Sequence, residues 1–438
     1  MELVRTENSY AAVMADAQLP HSHIPYGKEG SGFYSDNNIG CFNVIDAATP
    51  MVLSALDKVP VKDLDAPFII ADFGTADGGT SMFLLKKMIA LLRKKYGKDL
   101  PVQVVYEDQP VNDFKSLFLR THGFLSHAPT SFMQEFDNVY VLASGTSFYS
   151  QCLPPGSLHF GMSFTAMHWL STRPSRITGA LVHVDITDPT EKTLFQAQAA
   201  KDWEIILLAR ARELRSGGRA AIIVQCLDKE GQYPGATKNI TESVFHSFTK
   251  YWKEMVTEED ITQLENTNIA GMKEIQVPHS HFPYGKTGSG FHSDNNIGCF
   301  DIIFTASPMV LNALEKVPVK DSKSPFTIAD FGTADGGTSM FLVKKMIELL
   351  RKKHGKDLPV QVVYEDQPVN DFKSLFFRIQ GLLSHAPPSY MQEFDNVYVL
   401  ASGTSFYSQC LPPGSLHFGM SFTAMEWLST GYDRCLIL

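Results

Sequence analysis

The amino-acid sequence predicts an α/β fold, a doubly wound sheet present as two incomplete copies, and three observations carry that prediction. Short apolar runs that end in acids or glycines alternate with stretches of helical period, the pattern of strands joined by crossover helices. One junction, Ile70-Ala71-Asp72-Phe73-Gly74-Thr75-Ala76-Asp77-Gly78-Gly79-Thr80-Ser81, reads as a strand, a tight loop and the first turn of a helix. It returns at Ile328–Ser339, and the offset of 258 residues between Asp72 and Asp330 also links His21 to His279, Asp36 to Asp294 and Trp169 to Trp427 without a gap. A period this long marks a duplicated domain, not a solenoid. The expected domains are residues 1–268 and residues 272–438, with the boundary between Asn266 and Met272.

In order, copy one opens on Pro20-His21-Ser22-His23, whose two histidines have no third ligand at a fixed offset, and on a polar segment from Gly30 to Asn38. Phe68–Ala71 is the first strand, and Met82, Leu85, Ile89 and Leu92 mark the helix after the loop. Val102–Asp108 is the second strand, ending in acids where a doubly wound sheet places a ribose. Asn112 suits a helix cap as well as a ligand role. Asn138–Leu142 is the third strand and runs into Ser147-Phe148-Tyr149, a place to sandwich an adenine. Ser157–Ser163 is the fourth, followed by a helical turn from Thr165 to Leu170 that carries Trp169; Trp169 and His159 both also read as core residues. A helix from Glu191 is expected to stop at Gly217-Gly218, a fifth strand to run from Arg219 to Cys226, and a last helix from Thr241 to Met255. Copy two repeats the first four strands and ends in an unrelated tail, Gly431 to Leu438.

A formal charge of −9 and no basic run longer than Arg93-Lys94-Lys95 argue against a nucleic-acid surface. No stretch is expected to span a membrane, no leader is evident, and a cytoplasmic location is the expectation. Six cysteines without C-x-x-C or zinc spacing suggest reduced, buried thiols. The glycine loop does not fit a dinucleotide fingerprint, because Ala76 stands where the second glycine belongs. Glycines allow close backbone approach, the helix N-terminus offers free N–H groups, and Asp72 two residues before Gly74 favours a cationic amino-acid ligand over a pyrophosphate. That combination points to S-adenosylmethionine; a plain glycine-rich strand-to-helix turn is the alternative.

Taken together the motifs resemble the SABATH family, the salicylate-, jasmonate- and caffeine-type S-adenosylmethionine-dependent carboxyl and N-methyltransferases. The matching stretches are Tyr34-Ser35-Asp36-Asn37, Ala71-Asp72-Phe73-Gly74, Asp108-Gln109-Pro110-Val111-Asn112-Asp113-Phe114, Ser147-Phe148-Tyr149, Ser157-Leu158-His159-Phe160, Trp169-Leu170-Ser171, and Glu213-Leu214 with Gly217-Gly218-Arg219. The resemblance implies a class I methyltransferase-like (Rossmann-like) sheet with a helical cap. It implies donor contacts at Tyr34, Asn38, Asp72, Gly74, Asp108, Ser147 and Phe148, and acceptor contacts at Cys41 and Trp169. Cys41 stands where the family has a glutamine, and a thiol is a weaker donor than an amide, so the acceptor preference is expected to shift. Asn38 replaces the family's serine, and His292 replaces Tyr34 in copy two. The family's divalent metal is not supported, since only Glu265 and Asn268 remain near its position.

The expected reaction is methyl transfer to a small-molecule acceptor, a carboxylic acid first of all, with no catalytic residue assigned. The alternative is a catalytically impaired, duplicated protein that binds the donor or a partner without turnover. Both sheets are cut short relative to the family, which predicts open edges at Ala220–Val224 and Leu416–Met420. Those edges suggest packing between the two copies, or a homodimer, and transfer that is weak or absent.

Overall fold

The computed structural model describes residues 27–125, 128–172, 174–175, 186–226, 229, 233, 243–255 and 287–425. His21 and His23, the boundary at 266–272, Glu265, Asn268, Trp427, Cys435 and the tail from Gly431 lie outside the described residues. The chain divides into two compact units, one of Met1–His23, Thr165–Leu208 and Ile222–Gln276, the other of Ile24–Phe164, Ala209–Ala221 and Val277–Leu438.

Copy one contributes α1 (Phe33–Asn37), α2 (Ile39–Asp57), β1 (Phe68–Phe73), α3 (Gly79–Tyr96), β2 (Val102–Glu107), α4 (Phe114–Thr121), α5 (Phe132–Glu135), β3 (Val139–Ser144), β4 (Leu158–Phe164), α6 (Pro189–Glu213), β5 (Leu214–Ile223) and α7 (Val244–Met255). Copy two contributes α8 (Phe291–Asn295), α9 (Ile297–Glu315), β6 (Phe326–Phe331), α10 (Met340–His354), β7 (Val360–Glu365), α11 (Phe372–Ile379), β8 (Val397–Ser402) and β9 (Phe418–Ser421). The nine strands form one sheet in the order β5-β4-β1-β2-β3-β8-β7-β6-β9. Strands β4, β1, β2 and β3 pair parallel, and β9, β6, β7 and β8 repeat the arrangement. Chain order reverses between β1 and β4, the point at which open α/β sheets take their ligands.

Local sequence explains the elements that carry this layout. The run Phe68–Phe73 is buried at five of its six positions, as a central parallel strand requires. Helix α3 buries Met82, Leu85, Met88, Ile89 and Leu92 on one face, carries Arg93, Lys94 and Lys95 against its C-terminal dipole, and ends at Gly97 with φ +94°.

Several expectations are corrected. Helix α6 does not run to Gly217-Gly218 but ends at Glu213, and the chain passes straight into β5, which includes both glycines and stops short of Cys226. The reason is tertiary. The buried Glu213 carboxylate takes the backbone N–H groups of Cys152 and Leu153 and fixes the helix end, while a Cβ at Gly218 would lie 2.9 Å from the Leu158 carbonyl oxygen on β4. The Thr165–Leu170 segment is a turn closed by Trp169 N–H to the Ala166 carbonyl, and α7 begins at Val244 rather than Thr241. Of the cysteines, Cys152 and Cys410 are buried, Cys41 and Cys299 half-buried and Cys226 exposed, all of them free. Helices α2 and α9, 19 residues each with mean hydropathy 1.5 and 1.6 over an 18-residue window, are long and apolar enough to cross a membrane by length and composition alone, against the expectation of none.

The two copies meet through β3 and β8, paired antiparallel at Ala143 and Ala401. The contact is isologous. Phe114 lies 4.8 Å from Phe376 and Phe118 4.7 Å from Phe372; His122 meets Thr404 as Gln380 meets Thr146. Strands β5 and β9, the edges expected to need cover, are the outermost strands among the described residues, and the halves join through β3 and β8, at the other side of each copy's strands. A Cβ at Gly145 would meet the Phe376 ring at 2.2 Å. Gly145→Val is therefore expected to cost about 1–3 kcal/mol as overpacking, seen as a lower urea midpoint; an unchanged midpoint would show that the faces do not meet here.

Candidate active site

The cleft at the β1/β4 switch point is lined by Tyr34, Cys41, Ile45, Asp72, Gly74, Thr75, Thr80, Ser81 and Phe164. Asp72 is buried near the C-terminal end of β1, and its Oδ2 accepts the hydroxyls of Ser81 at 2.6 Å and Thr75 at 3.1 Å. Burial outweighs those two bonds and pushes its carboxyl up to about 6. The loop after it turns on Gly74 and Gly78, with φ of +74° and +71°, and on Ala76 at +52°, where a side chain is strained. Ala76 is held there from both sides: its N–H donates to Asp108 Oδ2 and its carbonyl accepts from Asn112 Nδ2, each at 2.7 Å. Of the two roles open to Asn112, the cap falls to Asp113, which caps α4 by accepting from Ser116 N–H at 3.0 Å.

Asp108 uses its two oxygens to fix backbone, Ala76 N–H and its neighbour Gln109 N–H, both at 2.7 Å. Each oxygen keeps a lone pair for a ligand hydroxyl. Burial lifts this carboxyl to about 6 as well, with Asp72 adding to the rise. Behind the loop, Glu107 accepts Gly74 N–H at 3.1 Å and is pushed well up by burial and by Asp108.

Of the residues expected at the site, Tyr34, Cys41, Asp72 and Gly74 line one cleft, and Tyr34 Oη lies 3.8 Å from Cys41 Sγ. Asn38 caps α2, its side chain accepting Cys41 N–H at 3.1 Å. Ser147 has a buried hydroxyl without a hydrogen-bond partner among the described residues, and Phe148 is buried with its ring tilted 4.8 Å from Tyr149. Trp169 is 43% exposed on the turn after β4 and stacks on His168; it belongs to the other compact unit. His159 is a satisfied core residue that accepts Ile69 N–H and is lowered to about 3 by burial and Arg215.

Sequence reasoning missed Thr75, Thr80, Ser81, Phe164 and a buried ion network. Arg120 on α4 donates to the Gly32 carbonyl at 2.7 Å, Asp36 at 3.1 Å and Asp77 at 3.4 Å, tying α1 and Tyr34 to the glycine loop. Ser35 also donates to Asp77 through its N–H and its hydroxyl. The near-identity of the two copies offered no contrast by which these residues would stand out. Copy two repeats the site: Asp330 accepts from Ser339 and Thr333 and is pushed up to about 6, with His292 in the place of Tyr34. Among the described residues no group of three His, Cys, Asp or Glu is placed to hold a metal ion.

The model of the SAM dependent carboxyl methyltransferase family matches residues 22–269 and 287–434. A probable S-adenosylmethionine-dependent methyltransferase of Arabidopsis thaliana is 31% identical over 207 residues, covering 43% of this chain and 54% of that protein. Loganic acid O-methyltransferase of Catharanthus roseus is 30% identical over 220 residues, covering 46% of this chain and 56% of that protein. The chain thus spans about half the length of these relatives. A solved loganic acid methyltransferase with SAH has a TM-score of 0.43 at 19% identity, covering 85% of this chain and 96% of that one. On the two family matches, which take in most of the sequence, the chain belongs to the S-adenosylmethionine-dependent carboxyl methyltransferase family.

Proposed function

We propose that copy one transfers a methyl group from S-adenosylmethionine to the carboxylate of a small organic acid. The observation that carries this reading is Asp72, a carboxylate oriented by two hydroxyls at the switch point and opening on a cleft that also holds Tyr34 and Cys41. The residues fit such a donor. Asp72 matches a cationic amino-acid end, Asp108 has lone pairs for ribose hydroxyls, Ser147 offers a hydroxyl unpartnered among the described residues, and the loop leaves room for close backbone approach. When bound, the donor supplies an electrophilic methyl carried on a sulfonium.

The chain's own contribution is positional. A small carboxylic acid, with a pKa near ~4, is already ionised at neutral pH, so no side chain has to take a proton from it. Tyr34, Cys41 and Phe164 wall the cleft, so they hold the acceptor oxygen near the donor and exclude water, which is where orientation lowers the barrier. Small acids as acceptors are supported by the family description and by the loganic acid relative. The test is incubation of the full chain with methyl-labelled donor and a panel of small carboxylic acids, with the matching amides as controls. Label in ester products supports the reading; bound donor with no labelled ester points instead to the non-catalytic alternative.

Cys41 sets a second expectation. Cys41→Gln places an amide donor in the same cleft, and a recovered hydrogen bond is worth about 0.5–1.5 kcal/mol. Turnover of benzoate-like acids is expected to rise relative to other acids, seen in kcat/KM; equal kcat/KM for every acid would remove Cys41 from the acceptor side.

A further inference from the structure

We propose that copy two completes the donor site of copy one, with Gln380 as a positioning residue that holds the loop after β3 through Thr146. The proposal rests on the reading of copy one as an S-adenosylmethionine site. The loop begins at the C-terminal end of β3, beside Asp108, whose own N–H donates to the Ser144 carbonyl at 3.1 Å. It then presents Ser147, with its hydroxyl unpartnered among the described residues, and the buried Phe148. From within copy one the loop is held by Thr146 N–H to Ser144 Oγ at 3.3 Å and by Cys152 Sγ to the Thr146 carbonyl at 3.2 Å. Ser144, Gly145, Thr146 and Ser147 have little apolar area of their own to bury, so what packs on them decides how well the loop is ordered.

That packing comes from copy two. The Gln380 amide donates to Thr146 Oγ1 at 3.0 Å. Four residues earlier, on the same face of α11, the buried Phe376 ring lies 4.8 Å from Phe114 on α4 and fills the space in which a Cβ on Gly145 would sit. Phe376 is therefore a wedge between the loop and α4. Just before α4, Asn112 grips the Ala76 carbonyl of the glycine loop, so this one face of copy two bears on both loops that the donor would meet.

The reverse contact has the same shape and different chemistry. Phe118 on α4 fills the space beside Gly403, and His122 Nε2, just past α4, lies 3.2 Å from Thr404 Oγ1. His122 Nδ1 lies 2.9 Å from the Phe118 carbonyl, which only accepts, so the neutral ring offers Nε2 as an acceptor to the Thr404 hydroxyl. Gln380 donates instead, and a threonine hydroxyl serves either way. The position thus takes an amide or an imidazole, which supplies a conservative variant. A loop that has to be ordered as the donor binds lowers affinity by the cost of that ordering, and a loop already held does not. One neutral hydrogen bond on the loop sets the expected change at roughly 2- to 12-fold in Kd.

The test is calorimetric titration of the full chain with S-adenosylmethionine in an Asp330→Ala background, so that copy one alone is read, with the urea midpoint measured beside it. Gln380→Leu keeps the bulk and removes the amide, and is expected to raise Kd by the factor given. Thr146→Val is expected to raise it equally, and the two together no further than either alone, because both remove one bond. Gln380→His is expected to restore affinity through the pairing seen at His122 and Thr404. A lower urea midpoint with Kd unchanged would make Gln380 a structural contact only and overturns the proposal. So do effects of Gln380→Leu and Thr146→Val that simply add. Asp72→Ala in the same background separates this from the site itself. If it weakens binding and Gln380→Leu does not, the proposal falls and the donor site stands; if the Asp330→Ala parent binds no S-adenosylmethionine, both fall.

Discussion

Asp72→Ala is expected to weaken donor binding by about 1–3 kcal/mol, roughly 5- to 150-fold in Kd, the range for losing a hydrogen bond to a charged group. The side chain is buried, is oriented by Ser81 and Thr75, and faces the cleft, so its removal takes away a fixed anchor. The measurement is a calorimetric titration with S-adenosylmethionine in an Asp330→Ala background, so that copy two does not contribute. Equal affinity with and without the Asp72 carboxylate would place the donor elsewhere. The same group sets a pH dependence. Its folded-state pKa is raised to about 6 from 3.8, so its contribution to stability is fully present below pH 3.8 and is lost as pH rises through about 6. Donor affinity runs the other way, because a cation is held by the ionised form. Binding is expected to tighten through pH 6, level off above it and weaken by up to ~10-fold per unit below it; a flat profile from pH 5 to 7 would contradict this.

Arg120→Ala is expected to cost about 3–5 kcal/mol of stability, the cost of leaving a buried charge without its partner. Arg120 is 2% exposed and Asp77 1%, so water does not replace the lost cation. Burial already raises the Asp77 carboxyl, and Arg120 is the main group opposing that rise. Without it Asp77 is driven towards its neutral form and releases Ser35 and α1. Arg120→Lys is expected to recover only part of the loss, since an ammonium does not span the Gly32 carbonyl, Asp36 and Asp77 as a guanidinium does. Urea unfolding is the measurement, and a loss below ~1 kcal/mol would show that the network is not structural. Because Tyr34 rides on α1, the donor affinity of the variant is expected to fall as well.

Most strands were legible in the sequence because they are short apolar runs, β1, β3, β6 and β8 running into a glycine and β2 and β7 into an acid, and the loop after β1 was legible because its glycines and Asp72 are local. What was not legible depends on contacts far apart in the chain. The end of α6 is set by a Glu213 carboxylate that grips backbone 60 residues away, which no helix-stop rule reports. Arg120 and Asp77 are 43 residues apart, and neither stands out by its surroundings. The side on which the copies join was hidden because β3 and β8 are as apolar as central strands; only the pairing of Phe114 and Phe118 with Phe376 and Phe372 decides it. The role of Asn112 stayed open for the same reason, its partner being the Ala76 carbonyl 36 residues away rather than the helix beside it.

The most direct test of the donor site is hydrogen exchange of the full chain with and without S-adenosylmethionine. Slowed exchange is expected at Gly74–Ser81 and in the segment that carries Tyr34, since those backbone groups surround the cleft beside Asp72. Exchange that is unchanged there, while the donor is bound, would contradict the placement of the site at the β1/β4 switch point.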